Sequence, residues 1–363
     1  MENEDKNEIK HGELKRHVNQ LNDSQKKNIT SRAIMAALMV VITIPCLVLG
    51  GWFWFAFVCL ILVILTHELL KAPQKQSRKF KWIIYVFSYI MMITLTFWMF
   101  FKTNLMDFYN YYHANGTLNG FKFVLEESFP QPSLSVCCFA VNIAFFFLIV
   151  LFDKEFTIND CFYFITMFFV CSLGMQCLLY LRYIPFDYLS GHVDGISSNI
   201  VINTSDPLFK YLGSALLLGL VILSSTMNDV GAYFVGILFG KHKMTHISPK
   251  KTWEGFVGGI VISFICTCAY SFIFEACGLP VLRGVLDSAH WYNILIIALI
   301  NPLVGTMGDL LFSSIKRNFN IKDFGTILRS HGGVLDRIDS LILVSISTAL
   351  LILMMINKWN LFI

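Results

Sequence analysis

An all-α, polytopic integral membrane protein with about nine transmembrane helices is the fold class this sequence predicts, at roughly 20 apolar residues per span. Three observations carry that expectation. Of the 363 residues, 56 % are hydrophobic and only 14 % charged, against about 25 % charged in soluble domains, and the mean hydropathy is +0.63. Apolar runs such as Trp82 to Phe101, Leu208 to Met227 and Phe256 to Phe274 have the length a helix needs to cross a hydrocarbon core of about 30 Å. One loop is purely basic while two later ones are richer in acids, the charge bias of a chain threaded through a bilayer.

Residues 1–32 carry charges of both signs with little apolar periodicity, and read as a flexible cytoplasmic tail without chemistry. No cleavable secretory signal is expected, because the first apolar run begins only near Ala33 and equally strong runs follow it. Residues 33–207 form an N-terminal transmembrane region. Its spans are expected at Ala33 to Leu49 and Trp52 to Leu70, a helical hairpin turning at Gly50 and Gly51, then at Trp82 to Phe101, Val136 to Phe152 and Cys161 to Tyr180. Residues 208–363 form a second transmembrane region, the catalytic one on the motifs described below. Its spans are expected at Leu208 to Ser225, Phe256 to Phe274, Trp291 to Leu311 and Leu341 to Ile356. Asn228 to Gly240 is too short to span and contains Gly231, Gly236 and Gly240, so it is expected as a broken or re-entrant helix buried in protein.

The loop from Lys71 to Lys81 holds Lys71, Lys75, Arg78, Lys79 and Lys81 and no acid, whereas Lys102 to Leu134 and Leu181 to Pro207 hold several acids and few bases. The positive-inside rule places the first in the cytoplasm, the other two on the far side and the N-terminus in the cytoplasm. Asn115 and Asn203 match the glycosylation acceptor pattern in far-side loops, in agreement with an endoplasmic reticulum membrane, although Asn22 and Asn28 match it in the tail. The ten cysteines show no CxxC pairing and read as small residues of core or lipid face. A net charge of +4 gives no argument for a nucleic-acid partner.

Two polar constellations interrupt this apolar plan, both on loops or span ends assigned to the cytoplasmic side. The first runs from Asn228-Asp229 through Gly240-Lys241 to Ser248-Pro-Lys-Lys-Thr-Trp-Glu-Gly255. A carboxylate in an apolar segment costs about 2.5 to 3.5 kcal/mol at a helix centre, so Asp229 calls for a partner, a metal or a watery cavity. The alternative is a structural carboxylate bonded to a neighbouring helix. Ser248, Lys250, Lys251, Thr252 and Glu254 precede a span; ammonium and hydroxyl groups there suit phosphate oxygens, and a helix starting near Thr252 adds N–H donors. A plain positive flank with an N-cap explains the same residues equally well.

The second constellation is denser: Gly308-Asp309, Ser313-Ser314, Lys316-Arg317, Lys322-Asp323, His331-Gly332-Gly333, Asp336-Arg337 and Asp339. If Trp291 to Arg317 is helical, Asp309, Ser313 and Lys316 share one face, and Asp336 and Asp339 share another at i and i+3. Oxygen-only carboxylate sites suit Mg²⁺, which binds through one or two carboxylates plus substrate phosphates. Gly332-Gly333 lets backbone approach a phosphate, with His331 as a donor. Salt bridges of Asp309 with Lys316 and of Asp336 with Arg337 are the structural alternative.

Ser314-Ile-Lys-Arg, Lys322-Asp and His331-Gly-Gly-Val-Leu-Asp-Arg-Ile-Asp339 resemble the signature of the phosphatidate cytidylyltransferases, or CDP-diacylglycerol synthases. Asn228-Asp to Gly240-Lys and Ser248 to Gly259 resemble that family's upstream motif in the form associated with eukaryotic members. Arg329 departs from the pattern, which has a small residue or proline two positions before the histidine. The resemblance implies a homodimeric membrane enzyme that takes CTP and Mg²⁺ from the cytoplasm and phosphatidic acid from the membrane lipids, and makes CDP-diacylglycerol and pyrophosphate. On the family pattern the metal falls to Asp309 and Asp336, with Asp339, Asp229 and Asp323 as lesser candidates. Lys250, Lys251, Lys316, Arg317 and Arg337 become phosphate binders. Two other readings stay open: a CTP-dependent lipid (polyprenol) kinase transferring the γ-phosphoryl group, and a membrane transporter with intramembrane charges.

Overall fold

The computed structural model describes residues 38–74, 79–102, 134–183, 207–245, 248, 251–282, 284–328, 332–356 and 359. The tail, the four glycosylation-pattern asparagines, Lys250, Arg329 and His331 lie outside them. Every extended element among the described residues is helical. In chain order these are α1 (Leu38–Leu49), α2 (Gly51–Gln74), α3 (Trp82–Lys102), α4 (Leu134–Phe152), α5 (Ile158–Tyr183), α6 (Pro207–Phe239), α7 (Trp253–Ala276), α8 (Trp291–Asn318) and α9 (Leu335–Ile356). α2 and α5 to α9 contain stretches long and apolar enough to cross a membrane, and α1, α3 and α4 contain shorter apolar helices. The chain is a multi-pass membrane protein.

The α1–α2 hairpin turns where expected. Gly50 and Gly51 have φ of 61° and 47°, a region that costs a residue with a Cβ about 1 to 2 kcal/mol. The turn is tied down from α5: the fully buried Arg182 donates from Nε to the Leu47 carbonyl at 2.7 Å and from Nη2 to Val48 at 3.0 Å, and Tyr183 donates to Gly51 at 2.6 Å. A cation at the carbonyl end of α1 also meets the negative pole of that helix.

One expectation is corrected. Asn228 to Gly240 is not a separate re-entrant segment; it continues Leu208 to Ser225 as α6, an unbroken helix of 33 residues. At about 1.5 Å per residue this exceeds a hydrocarbon core. The glycines that suggest a break instead line the contact with α7. A Cβ on Gly231 would lie 2.9 Å from Ile262, one on Gly255 2.7 Å from the Ala232 carbonyl, and one on Gly259 2.8 Å from Asn228. Small residues at four-residue spacing let two helix backbones come together where lipid supplies no hydrophobic drive.

Hydroxyls and amides stitch the membrane interior. Ser225 meets Ser340 at 3.0 Å, Asn301 donates to Ser224 at 3.2 Å and accepts from Thr348 at 3.0 Å, and Ser263 donates to the Ser224 carbonyl at 2.7 Å. Cross-helix bonds of this kind contribute about 0.6 kcal/mol each, up to about 1.7. Cys161 and Cys171 are buried and unbridged, as read from sequence.

Side-chain contacts fix which loops share an end of the bundle. Phe80 packs on Phe156, Lys81 pairs with Asp153 at 3.4 Å, Tyr163 stacks edge-on to Phe319, and Lys251 reaches Asp309. The short loops after α2, α4, α6 and α8 therefore meet at one end, and both polar constellations are there.

Candidate active site

The site is assembled where α6, α7, α8 and α9 converge. Thr252 is the N-cap of α7; its Oγ1 accepts the Gly255 N–H at 3.1 Å, which starts the helix where the sequence places it. The loop before it doubles back through an isolated antiparallel bridge between Lys243 and Thr252. Lys251 thereby hangs over a cleft of about 290 Å³ lined by Asn228, Asp229, Ser248, Thr252, Thr306 and Asp309. Asn228 donates to Thr306 at 3.1 Å, locking α6 to α8 beneath this cleft.

Lys251 Nζ donates to Asp309 Oδ2 at 2.6 Å, with 28 % and 24 % of the two side chains exposed. This pair is reachable from outside. Asp309 in turn lies beside Asp229 and Asp339. Close helix crossing makes that possible: at Gly308 a Cβ would sit 3.1 Å from the Asp339 carbonyl and 3.2 Å from Ser340 Cα, so α8 and α9 touch backbone to backbone.

Lys316, one turn beyond Ser313 on α8, forms the second centre. Its ammonium lies 3.0 Å from Asp336 Oδ1, 3.8 Å from Asp339 Oδ2 and 5.7 Å from the centre of the Phe324 ring. The structure thus pairs the charges across helices, Lys251 with Asp309 and Lys316 with Asp336 and Asp339, rather than Asp309 with Lys316 along α8. Asp336 Oδ2 also accepts the N–H groups of Phe324 and Gly333, both at 2.9 Å, so this side chain, 3 % exposed, anchors the loop before α9.

The remaining residues fall around these two centres. Gly332 sits at φ 83°, a conformation that L side chains rarely adopt, and a Cβ there would press on Asp336 and Asp323 at 3.1 and 3.2 Å. Ser313 is half-buried; Arg317 is exposed and donates to the Ile321 carbonyl at 3.2 Å, closing the end of α8. Lys322 and Arg337 are exposed. Glu254 serves its own neighbourhood: it accepts the N–H groups of Lys241 and His242 at 3.1 and 3.2 Å and meets His242 Nδ1 at 2.6 Å.

Sequence reasoning missed one participant. Glu68, near the C-terminal end of the apolar span α2, accepts the N–H groups of Val334 and Leu335 at 3.0 and 2.8 Å. It is a lone acid in a membrane segment, the same signal that singles out Asp229.

Among the described residues no three His, Cys, Asp or Glu side chains form a metal cage by themselves. The donor set fits Mg²⁺ nonetheless, because that ion takes few protein carboxylates and completes its shell with water and phosphate oxygens. Asp309, partly exposed and beside two further carboxylates, meets that description.

Comparison with known proteins agrees with the geometry. The model of the Cytidylyltransferase family matches residues 30–355, and the chain belongs to that family. It is similar to the phosphatidate cytidylyltransferase of Bacillus subtilis, 42 % identical over 125 residues covering 34 % of this chain and 42 % of the relative. That of Staphylococcus saprophyticus is 43 % identical over 119 residues, 32 % of this chain and 42 % of the relative. That of Mycobacterium tuberculosis is 35 % identical over 167 residues, 44 % and 46 %. The chain thus spans less than half the length of these curated relatives.

Proposed function

We propose that this protein is a CTP:phosphatidate cytidylyltransferase that makes CDP-diacylglycerol and pyrophosphate for phospholipid synthesis. The observation that carries the reading is the convergence of Lys251–Asp309 and Lys316–Asp336–Asp339 at one end of a membrane bundle. Ammonium groups there alternate with carboxylates as a metal-bound triphosphate requires. The relatives' names supply the substrate class.

In the reaction a phosphate oxygen of phosphatidic acid attacks the α-phosphorus of CTP. A new P–O–P linkage forms, the bond to the β-phosphate oxygen breaks, and pyrophosphate leaves with the electron pair. The lipid phosphate is already ionised, so no protein nucleophile or general base is needed, and positioning with charge neutralisation provides the catalysis. Lys251 and Lys316 exchange a carboxylate partner for phosphate oxygens; Arg317 and Arg337, with Lys250 and His331, are further phosphate contacts. Asp309 would hold Mg²⁺, with Asp229 and Asp339 beside it and Asp336 linked to them through Lys316; the ion would supply charge neutralisation at the phosphate oxygens. Ser248 and Thr252 offer hydroxyls, and Ser313, Lys322 and Asp323 complete the polar rim.

The basic loop Lys71 to Lys81 supports a cytoplasmic site, since it shares an end of the bundle with the cleft. A homodimer is what the family resemblance implies, and the glycosylation patterns at Asn115 and Asn203 in the acid-rich far-side loops favour an endoplasmic reticulum membrane. The test is pyrophosphate release by the purified protein. Release that requires CTP, phosphatidic acid and Mg²⁺ together, and matches lipid product one to one, supports the reading; release without the lipid, or none at all, contradicts it.

A further inference from the structure

The N-terminus of α9 carries the site's aspartates, and its first N–H groups have no partners within the helix. Those of Val334 and Leu335 are taken by Glu68 of α2, at 3.0 and 2.8 Å, across 266 and 267 positions of sequence. Gly333 donates to Asp336 instead. Glu68 is 1 % exposed, and glycines surround it. A Cβ on Gly333 would stand 2.6 Å from both of its carboxylate oxygens, and one on Gly325 would overlap it. A buried anion from the N-terminal region is therefore fitted against the α8–α9 loop at Gly325 and Gly333, beside the Phe324 and Gly333 N–H groups that Asp336 holds.

We infer that Glu68 is a positioning residue for nucleotide binding: it holds the start of α9 and the Gly332-Gly333 turn, and so sets Asp336 and Asp339 against Lys316. The side chain touches no reacting atom; its carboxylate complements the helix dipole and satisfies two N–H donors at the buried start of α9. The inference rests on the nucleotidyl-transfer reading above.

The test compares full-length wild type, Glu68→Gln and Glu68→Asp in detergent. Three quantities are read: melting temperature without nucleotide, its rise on titration with CTP and Mg²⁺, and the kinetic constants for CTP and for phosphatidic acid. Glu68→Gln leaves one oxygen acceptor for two N–H donors. It is expected to fold, to lose about tenfold or more in kcat/KM for CTP, the loss typical of removing a supporting partner, and to need more CTP for its melting rise. The KM for phosphatidic acid should be unchanged, and Glu68→Asp should fall between the two. Gly333→Ala presses a methyl on the same contact from the other side. The double variant with Glu68→Gln should lose no more than the worse single variant, as one shared contact requires.

Wild-type CTP saturation in folded Glu68→Gln would overturn the inference. So would a loss accounted for by a smaller folded fraction, or a double variant whose losses multiply. Should Glu68→Gln not fold, Glu68→Asp and Gly333→Ala carry the comparison, and wild-type CTP affinity in both overturns it. A wild-type protein whose melting responds to CTP but which forms no lipid product contradicts the proposed reaction, while the melting comparison still decides the role of Glu68.

Discussion

Lys251 and Asp309 meet at 2.6 Å, yet each keeps about a quarter of its side chain open, the arrangement of a pair that a ligand can enter. Lysine presents a compact point charge and arginine a planar fork. Lys251→Arg is accordingly expected to insert and fold normally but to lose about tenfold in kcat/KM for CTP, about 1.4 kcal/mol of transition-state stabilisation. Wild-type kinetics would return the Ser248 to Glu254 segment to the role of a topological flank. Asp309→Asn should abolish turnover with little change in melting temperature, because its carboxylate is solvent-accessible and supports no backbone group among the described contacts. Asp336→Asn should differ. It disturbs two N–H bonds and a buried ammonium, and removing one partner of such a pair costs roughly 3 to 5 kcal/mol, so its melting temperature should fall together with its activity. Equal melting of the two variants would show that Asp336 is not the anchor described. Most of these residues were legible because charges in apolar surroundings are conspicuous. Their pairing was not, because Lys316 meets Asp336 and Asp339 through the crossing of α8 and α9, which spacing along one helix does not encode.

At the scale of helices, the sequence marked the right spans and misread one. Asn228, Asp229 and three glycines in Asn228 to Gly240 resemble a break, since each weakens an isolated membrane helix. The intact α6 results from what it packs against: Asn228 bonds Thr306 of α8, and the glycines accept the backbone of α7. Such compensation lies on other segments of the chain and is invisible locally. The same packing sets the cleft, because Asp229 stands on α6 and Lys251 leads into α7. Gly259→Val should therefore damage catalysis at a distance. Its Cβ would come within 2.8 Å of Asn228, and overpacking of this kind costs about 1 to 3 kcal/mol. Lower melting temperature and weaker CTP binding are expected together; a melting loss with unchanged CTP affinity would separate the α6–α7 contact from the site.

For the molecule as a whole, buried residues from Trp54 on α2 to Met355 on α9 form one continuous core, and Glu68 and Arg182 reach between distant segments within it. The loops near Lys154, Lys243 and Lys322 share one end, and the turn around Ser288 between α7 and α8 lies at the other. In sealed vesicles, single cysteines placed at Lys154 and Lys322 are expected to label from the same side and one at Ser288 from the opposite side. Labelling of Lys154 and Lys322 positions from different sides would break the threading. The central claim is the fate of the nucleotide phosphates, and it is tested most directly by giving the purified protein phosphatidic acid, Mg²⁺ and CTP labelled at either the α or the γ phosphate. Cytidylyl transfer places the α label in lipid and leaves the γ label in pyrophosphate. Label from the γ phosphate in lipid would mean a kinase, and label in lipid from neither phosphate would contradict nucleotidyl transfer altogether.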